Sequence, residues 1–362
     1  MNHDEHNTLP PQARKGRGAL SNRTGRFESA TKEAFDDGWG GLDELPARVP
    51  TTLGVDTAKT VITYNQSPDV PFDRSINPYR GCEHGCAYCF ARPSHAYLGL
   101  SPGLDFETRL FYKPDAPERL REELGARRYR AAPIALGINT DAYQPVERRL
   151  GLTRRILEVL QETRHPVSIV TKSALIERDL DILAEMAADG LAQVAISITT
   201  LKADLARRLE PRAAAPHRRL QTVERLAAAG IPVLVLVAPL IPMLNDEELE
   251  KILSESRKAG AVDAGYVLLR LPLELRELFG EWLYTHEPLK AERVLYRIFE
   301  VRGGKAYDST FGTRMTGTGE YAGLLGRRFR LAYKRLAFPG SPGFDSDRFR
   351  PPLPGGQTDL FR

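Results

Sequence analysis

Gly81-Cys82-Glu83-His84-Gly85-Cys86-Ala87-Tyr88-Cys89-Phe90 contains all three cysteines of the 362-residue chain. The spacing is C-x3-C-x2-C, and nothing elsewhere supplies a fourth thiolate. Three thiolates on one tight loop suit three corners of a cubane [4Fe-4S] cluster and leave the fourth iron without a protein ligand. An iron left open in this way has room for the amino and carboxylate groups of S-adenosylmethionine. Two other readings compete. A zinc knuckle would recruit His84, but C-x-H-x-C-x2-C is tighter than the usual zinc spacing. Three buried structural thiols would not need to cluster.

Outward from this loop, short apolar runs recur at Pro133–Ile138, Val167–Thr171, Ala192–Ile198, Val233–Ala238 and Gly265–Arg270. Each is bounded by turn residues and too short for a helix, which reads as a buried strand. Helical stripes lie between them: Leu180, Leu183 and Met186; Leu220, Val223 and Leu226; Leu249, Ile252 and Leu253. Each stripe ends at a glycine, namely Gly190, Gly230 and Gly260. With a strand near Val70–Asn77, this predicts about six βα units on a parallel sheet. Periodicity alone leaves an open doubly wound sheet and a barrel both standing.

After Pro272 the strands stop and three helical stripes follow, around Leu275–Trp282, Val294–Phe299 and Tyr321–Ala332, with a Gly-rich loop at Asp308–Gly319. Residues Leu9 to Phe27 carry Arg14, Lys15, Arg17, Arg23 and Arg26 and no acid, which reads as a mobile basic arm, either solubilising or touching phosphates. Phe338–Arg362 is rich in Pro and Gly and reads as a disordered tail. The expected division is residues 1–60 arm, 61–275 barrel, 276–338 helical extension and 339–362 tail.

With 42% apolar residues and a net charge of +4, the chain can build a large core and has a nearly balanced surface. No apolar run approaches the roughly 20 residues of a membrane span. Met1–Pro10 has no apolar segment of the secretory kind. Three cysteines do not make a disulfide scaffold. The expected address is cytoplasmic, with no membrane partner.

The cysteine loop, with Tyr88 before its last cysteine and βα units following, resembles the radical S-adenosylmethionine superfamily. Asn77-Pro78-Tyr79-Arg80-Gly81-Cys82, Thr140-Asp141-Ala142-Tyr143-Gln144-Pro145-Val146-Glu147 and Thr171-Lys172-Ser173 resemble its spore photoproduct lyase-like, DNA repair photolyase-like branch. The resemblance spans Val70 to Pro272 and extends less closely to Leu336. It implies a partial (β/α)6 TIM-like barrel with a helical C-terminal extension. It also implies a [4Fe-4S] cluster on Cys82, Cys86 and Cys89, with S-adenosylmethionine across the strand ends. Carried over by motif, Tyr88 lies on the adenine side. Thr140 and Asp141 end the second strand, and Lys172 and Ser197 end the third and fourth and hold the cofactor's carboxylate and ribose.

The implied activity is cleavage of S-adenosylmethionine to a 5′-deoxyadenosyl radical, acting on nucleic acid. The alternatives are radical modification of a protein or small molecule, and a non-enzymatic iron–sulfur redox sensor. Expected partners are a flavodoxin or ferredoxin as electron donor, and DNA. Gln357, Asp359, Leu360 and Phe361 resemble the peptide by which repair enzymes dock on the replicative sliding clamp. The chain departs from spore photoproduct lyase in two places. It has no cysteine beyond the loop to return a hydrogen atom, and Phe90 stands where that enzyme has a Tyr.

Overall fold

The structure is a computed structural model that describes residues 13–28 and 49–352. Six parallel strands form its centre: β1 (Arg74–Ile76), β2 (Ile134–Leu136), β3 (Val167–Thr171), β4 (Ala192–Ser197), β5 (Val233–Leu240) and β6 (Asp263–Leu268). Each is hydrogen-bonded to the next in chain order. A doubly wound sheet would reverse its order at a switch point, whereas unbroken succession is barrel topology. Ile62–Tyr64 pairs antiparallel with the outer edge of β1, and β6 forms the other edge, so the barrel is partial. This settles the choice that periodicity left open.

The crossovers carry α1 (Ala116–Leu124), α2 (Leu152–Glu162), α3 (Leu180–Ala188), α4 (Pro216–Ala228) and α5 (Leu249–Lys258). Their apolar faces and the strands build one core, with Ile156, Leu160, Leu183, Val223, Leu226, Ile252 and Leu253 buried beside Val194, Val235 and Val237. All of β4 is buried, as a central strand covered on both faces should be.

The extension comprises α6 (Leu275–His286), α7 (Ala291–Glu300) and α8 (Gly319–Arg335). Arg328 of α8 pairs with Glu250 of α5 at 2.6 Å, and Leu325 joins the main core. Helices α6 and α7 instead form a second core, where Phe279, Trp282, Leu283, Val294 and Ile298 pack with Cys86, Ala87 and Tyr88. The extension is thereby built against the cysteine loop. No helix among the described residues is long and apolar enough to cross a membrane.

Both terminal expectations need correction where the structure describes them. Residues 13–28 are packed rather than mobile: Leu20 is 2% exposed, Arg17 donates to the Glu107 carbonyl, and Arg23 and Arg26 pair with Glu277, Glu281 and Glu274 at the start of α6. The charges of Arg23 and Arg26 meet protein carboxylates. Thr52–Val55, also assigned to the arm, pairs in parallel with Arg109–Tyr112. The start of the expected tail is likewise packed. Gly340 donates to the Val262 carbonyl at 2.9 Å, Ser341 to Gln193 at 2.6 Å, and Arg350 to the Thr163 carbonyl at 2.8 Å. Gln357, Asp359, Leu360 and Phe361 lie outside the described residues.

Below β3, this tail segment sets Phe349 edge-on to His165, with ring centroids 5.3 Å apart. The His165 Nδ1–H donates to the Pro166 carbonyl, so Nε2 accepts from the Tyr129 hydroxyl at 2.7 Å. Burial pushes His165 down from 6.5 to about 4, with the Arg74 charge adding to the effect. The unfolded chain then takes up this proton before the folded one does. The contribution is whole above about pH 6.5 and is lost as pH falls toward 4, a change on the order of 3 kcal/mol. Urea midpoints measured across that window should fall for the wild type, and the fall should be smaller in His165→Gln. Equal falls would contradict this packing.

Candidate functional site

The cysteine loop has almost no ladder of its own, and other elements fix its shape. Cys82 N–H donates to the Phe106 carbonyl at 2.9 Å and Ala87 N–H to the Leu209 carbonyl at 2.9 Å, while the His84 carbonyl accepts from Arg212 N–H at 3.3 Å. Gln144 bridges both sides, accepting from Glu83 N–H at 2.8 Å and donating to the Gly81 carbonyl at 3.2 Å. Gly85 has φ +65°, and a Cβ there would stand 2.6 Å from a Glu107 carboxylate oxygen. Only glycine allows that approach.

Behind the loop lies an ion pair closed to water. Arg92 and Glu107 are both 0% exposed and meet at 2.5 Å. The same guanidinium donates to the Cys86 carbonyl at 2.9 Å and to the Gly103 carbonyl at 2.9 Å. Glu107 also accepts from Gly18 N–H at 3.0 Å and Ala19 N–H at 2.8 Å. A buried pair is tolerable only when its remaining donors and acceptors are satisfied, as they are here.

All three cysteines are free thiols, Cys82 and Cys86 buried and Cys89 half-buried. Burial pushes Cys86 up to about 12, Glu210 adding to the rise and Lys172 opposing it. Burial also pushes Cys82 well up, followed by Asp141 and the other two thiols. Such sulfurs become thiolates only against strong positive charge, as a metal centre provides. Among the described residues no group of three or more His, Cys, Asp or Glu converges to hold a single metal ion. His84 turns its Nδ1 to Asp141 at 3.2 Å. His84 is thereby engaged by a carboxylate.

The loop lies over the C-terminal ends of β2, β3 and β4, and the residues expected there are held in different ways. Like Thr140, Asp141 lies in the loop after β2, not in the strand. Its carboxylate accepts from Thr171 Oγ1 at 2.7 Å, Lys172 N–H at 2.8 Å and Tyr143 N–H at 2.9 Å, besides facing His84. Burial alone would raise its pKa, but His84 and these donors outweigh burial and hold it at about 2. Asp141 therefore ties β3 to the cysteine loop. Thr140 donates to the Tyr79 carbonyl at 2.9 Å, and Ser197 to the Ala238 carbonyl at 3.0 Å. The Lys172 ammonium, by contrast, donates no hydrogen bond among the described residues and stands 5.8 Å from the centroid of the Tyr88 ring.

Two residues absent from the sequence reading organise this end. Glu210, 2% exposed, accepts from the hydroxyls of Thr199 (2.6 Å) and Tyr88 and pairs with buried Arg219. Burial opposes its ionisation, yet Arg219 and then Lys172 hold it at about 2. Arg219 also donates to the carbonyls of Ala214 at 2.7 Å and Ser197 at 2.9 Å. A signal was present in the sequence. Arg219 falls in register with Val223 and Leu226 on the buried face of α4, where a cation requires a partner.

Residues 76–255 match the Radical SAM superfamily. An uncharacterised protein of Mycobacterium tuberculosis (strain ATCC 25618 / H37Rv) is 39% identical over 232 residues, 63% of this chain and 68% of the relative. An uncharacterised protein of Methanocaldococcus jannaschii is 28% identical over 182 residues, 50% of this chain and 65% of the relative. Among solved structures, a tyrosine-to-phenylalanine mutant of spore photoproduct lyase superposes with a TM-score of 0.58 at 18% identity, covering 80% of both chains. The same enzyme complexed with dinucleoside spore photoproduct gives 0.57 at 16% identity, covering 79% of this chain and 80% of that one. At such identities the likeness is one of fold.

Arg219→Met leaves the Glu210 carboxylate buried without its cation and should cost about 3–5 kcal/mol of stability by urea unfolding. Adding Glu210→Leu should recover most of the loss. An unchanged midpoint in the single variant would remove Arg219 from the framework.

Proposed function

This chain belongs to the radical S-adenosylmethionine superfamily and is an enzyme, and on that premise we propose that it carries a [4Fe-4S] cluster on Cys82, Cys86 and Cys89 and acts on nucleic acid. The observation that carries the cofactor assignment is the three-thiol loop lying across the strand ends, opposite a lysine that has no acceptor among the described residues. Cluster and S-adenosylmethionine, when bound, supply a 5′-deoxyadenosyl radical able to take hydrogen from an unactivated carbon.

This chain's residues bind and orient. Lys172 offers its ammonium to the cofactor's carboxylate. The Tyr88 hydroxyl is fixed on Glu210, which sets the plane of its ring toward the adenine side. Ser197 spends its proton on Ala238 and keeps lone pairs for a ribose hydroxyl. Thr140 and Asp141 act as positioning residues, holding the Tyr79 carbonyl and the start of the Lys172 backbone.

The nucleic-acid reading is supported by the motifs at Asn77–Cys82, Thr140–Glu147 and Thr171–Ser173. It is also supported by the shared fold with spore photoproduct lyase, whose solved complex holds a dinucleoside. With all cysteines in the loop and Phe90 after the last, hydrogen return through a thiol is not part of the proposal. The partners that complete the reading are a flavodoxin or ferredoxin, DNA, and the sliding clamp through Gln357, Asp359, Leu360 and Phe361. Ultraviolet cross-linking of the anaerobic holoenzyme in cell extract tests the substrate class. Recovery of nucleic acid on the protein supports the reading, and recovery of protein adducts alone contradicts it.

Cys82→Ala, Cys86→Ala and Cys89→Ala should each lose the brown chromophore and most bound iron after anaerobic reconstitution. A variant that keeps full iron content would overturn the ligand set. Lys172→Ala should keep the cluster and weaken S-adenosylmethionine binding by about 1.5–3 kcal/mol in equilibrium dialysis. Lys172→Arg should restore it only in part, because the two cations differ in shape. Unchanged affinity in the Ala variant would place Lys172 outside the pocket.

A further inference from the structure

Two residues past the end of β6, Arg270 projects at the same rim as the cysteine loop. Its guanidinium carbon is 4.7 Å from the ring centroid of Phe90, the residue after Cys89. Arg270 is half-buried, yet among the described residues it has no hydrogen-bond acceptor and no carboxylate partner. Burial lowers its pKa, the mark of a cation drawn from water without a counter-charge in contact.

A second cation backs it. Arg302 is 2% exposed and donates to the carbonyls of Leu268 at 2.9 Å, Leu269 at 2.7 Å and Arg314 at 2.7 Å. Its buried Nε has no partner, and it makes no ion pair among the described residues. Arg314 is compensated, by Asp69, and stacks on Phe311 at 4.6 Å. Through that pair, and through Gly312 N–H donating to Asp69 at 2.6 Å, the Gly-rich loop after α7 reaches the segment preceding β1. The loop thus spans between the two ends of the sheet. Nearby stand two arginines that make no ion pair among the described residues and two exposed phenyl rings, Phe90 and Phe311, each with a guanidinium against it.

We propose that Arg270, stacked on Phe90 and backed by Arg302, is the subsite for a phosphate of the substrate, with the phenyl faces available to its bases. The identity of the ligand rests on the nucleic-acid reading above. A guanidinium fork matches phosphate oxygens bidentately, and a half-buried fork with no acceptor is already desolvated for one. Aromatic faces beside arginine suit unstacked bases. Phe90 thereby has a purpose that needs no hydroxyl.

The test uses the anaerobic holoenzyme and a fluorescein-labelled single-stranded oligothymidylate, with anisotropy followed across salt concentrations. Arg270→Gln should weaken binding about tenfold or more. It should also lower the slope of log affinity against log salt by about 0.7, one phosphate contact's worth. Arg270→Lys should fall between. Removing the exposed charges of Arg327, Arg330 and Lys334 on α8 should change affinity much less, which separates the subsite from general surface charge. Circular dichroism checks that each variant is folded. If the oligonucleotide binds and Arg270→Gln alters neither affinity nor slope, the subsite is overturned while the nucleic-acid reading stands. If the wild type binds no oligonucleotide, that reading fails. Pyrophosphate protection of Arg270 against phenylglyoxal, read by peptide mass, then decides the subsite separately: protection supports it, and no protection overturns it.

Discussion

The buried Arg92–Glu107 pair is the contact on which the site's geometry depends. A loop with three cysteines in eight residues has almost no ladder of its own, so its shape comes from contacts with other elements. Arg92 grips the loop at the Cys86 carbonyl, and Glu107 holds Arg92 while accepting the backbone of Gly18 and Ala19. One ion pair therefore joins the N-terminal segment, the stretch before Arg109–Tyr112 and the cysteine loop. The second core completes the support, since Cys86, Ala87 and Tyr88 pack with Phe279, Trp282 and Leu283 of α6.

Charge balance at the other side of the loop follows the same logic. Buried Glu210 faces Arg219 and Lys172, and half-buried Asp141 faces His84. Arg219 is consumed by Glu210 and two carbonyls, which leaves Lys172 as the cation there whose ammonium donates no hydrogen bond among the described residues. A framework in which fixed pairs surround one available charge suits an enzyme that must place a charged cofactor repeatedly in one pose.

Much of this was legible from residues alone, for physical reasons. Parallel strands covered on both faces read as mainly apolar runs, so Val167–Thr171 and Val233–Ala238 stood out. β1 is only Arg74–Ile76, with two of its three residues polar, and was recognisable only as a neighbourhood. The packing of residues 13–28 was not legible, because the partners of Arg23 and Arg26 lie some 250 residues away on α6. Local composition describes the basic residues and says nothing of the acids that neutralise them. Pro- and Gly-rich sequence likewise hid the segment that carries Phe338 and Phe349, each buried or half-buried by contacts made far along the chain. At the site, the cysteines announced themselves by spacing. The partners that hold the Asp141 carboxylate, Thr171, Lys172, Tyr143 and His84, were not legible, because a carboxylate's partners cannot be counted from sequence.

Cleavage of S-adenosylmethionine is the activity on which every role given to the cysteine loop and Lys172 depends. Anaerobically reconstituted protein with a strong reductant and S-adenosylmethionine should release 5′-deoxyadenosine and methionine in equal amounts, measured by liquid chromatography. An intact cluster, verified by iron and sulfide content, with no 5′-deoxyadenosine released in the presence of reductant and nucleic acid, would contradict it.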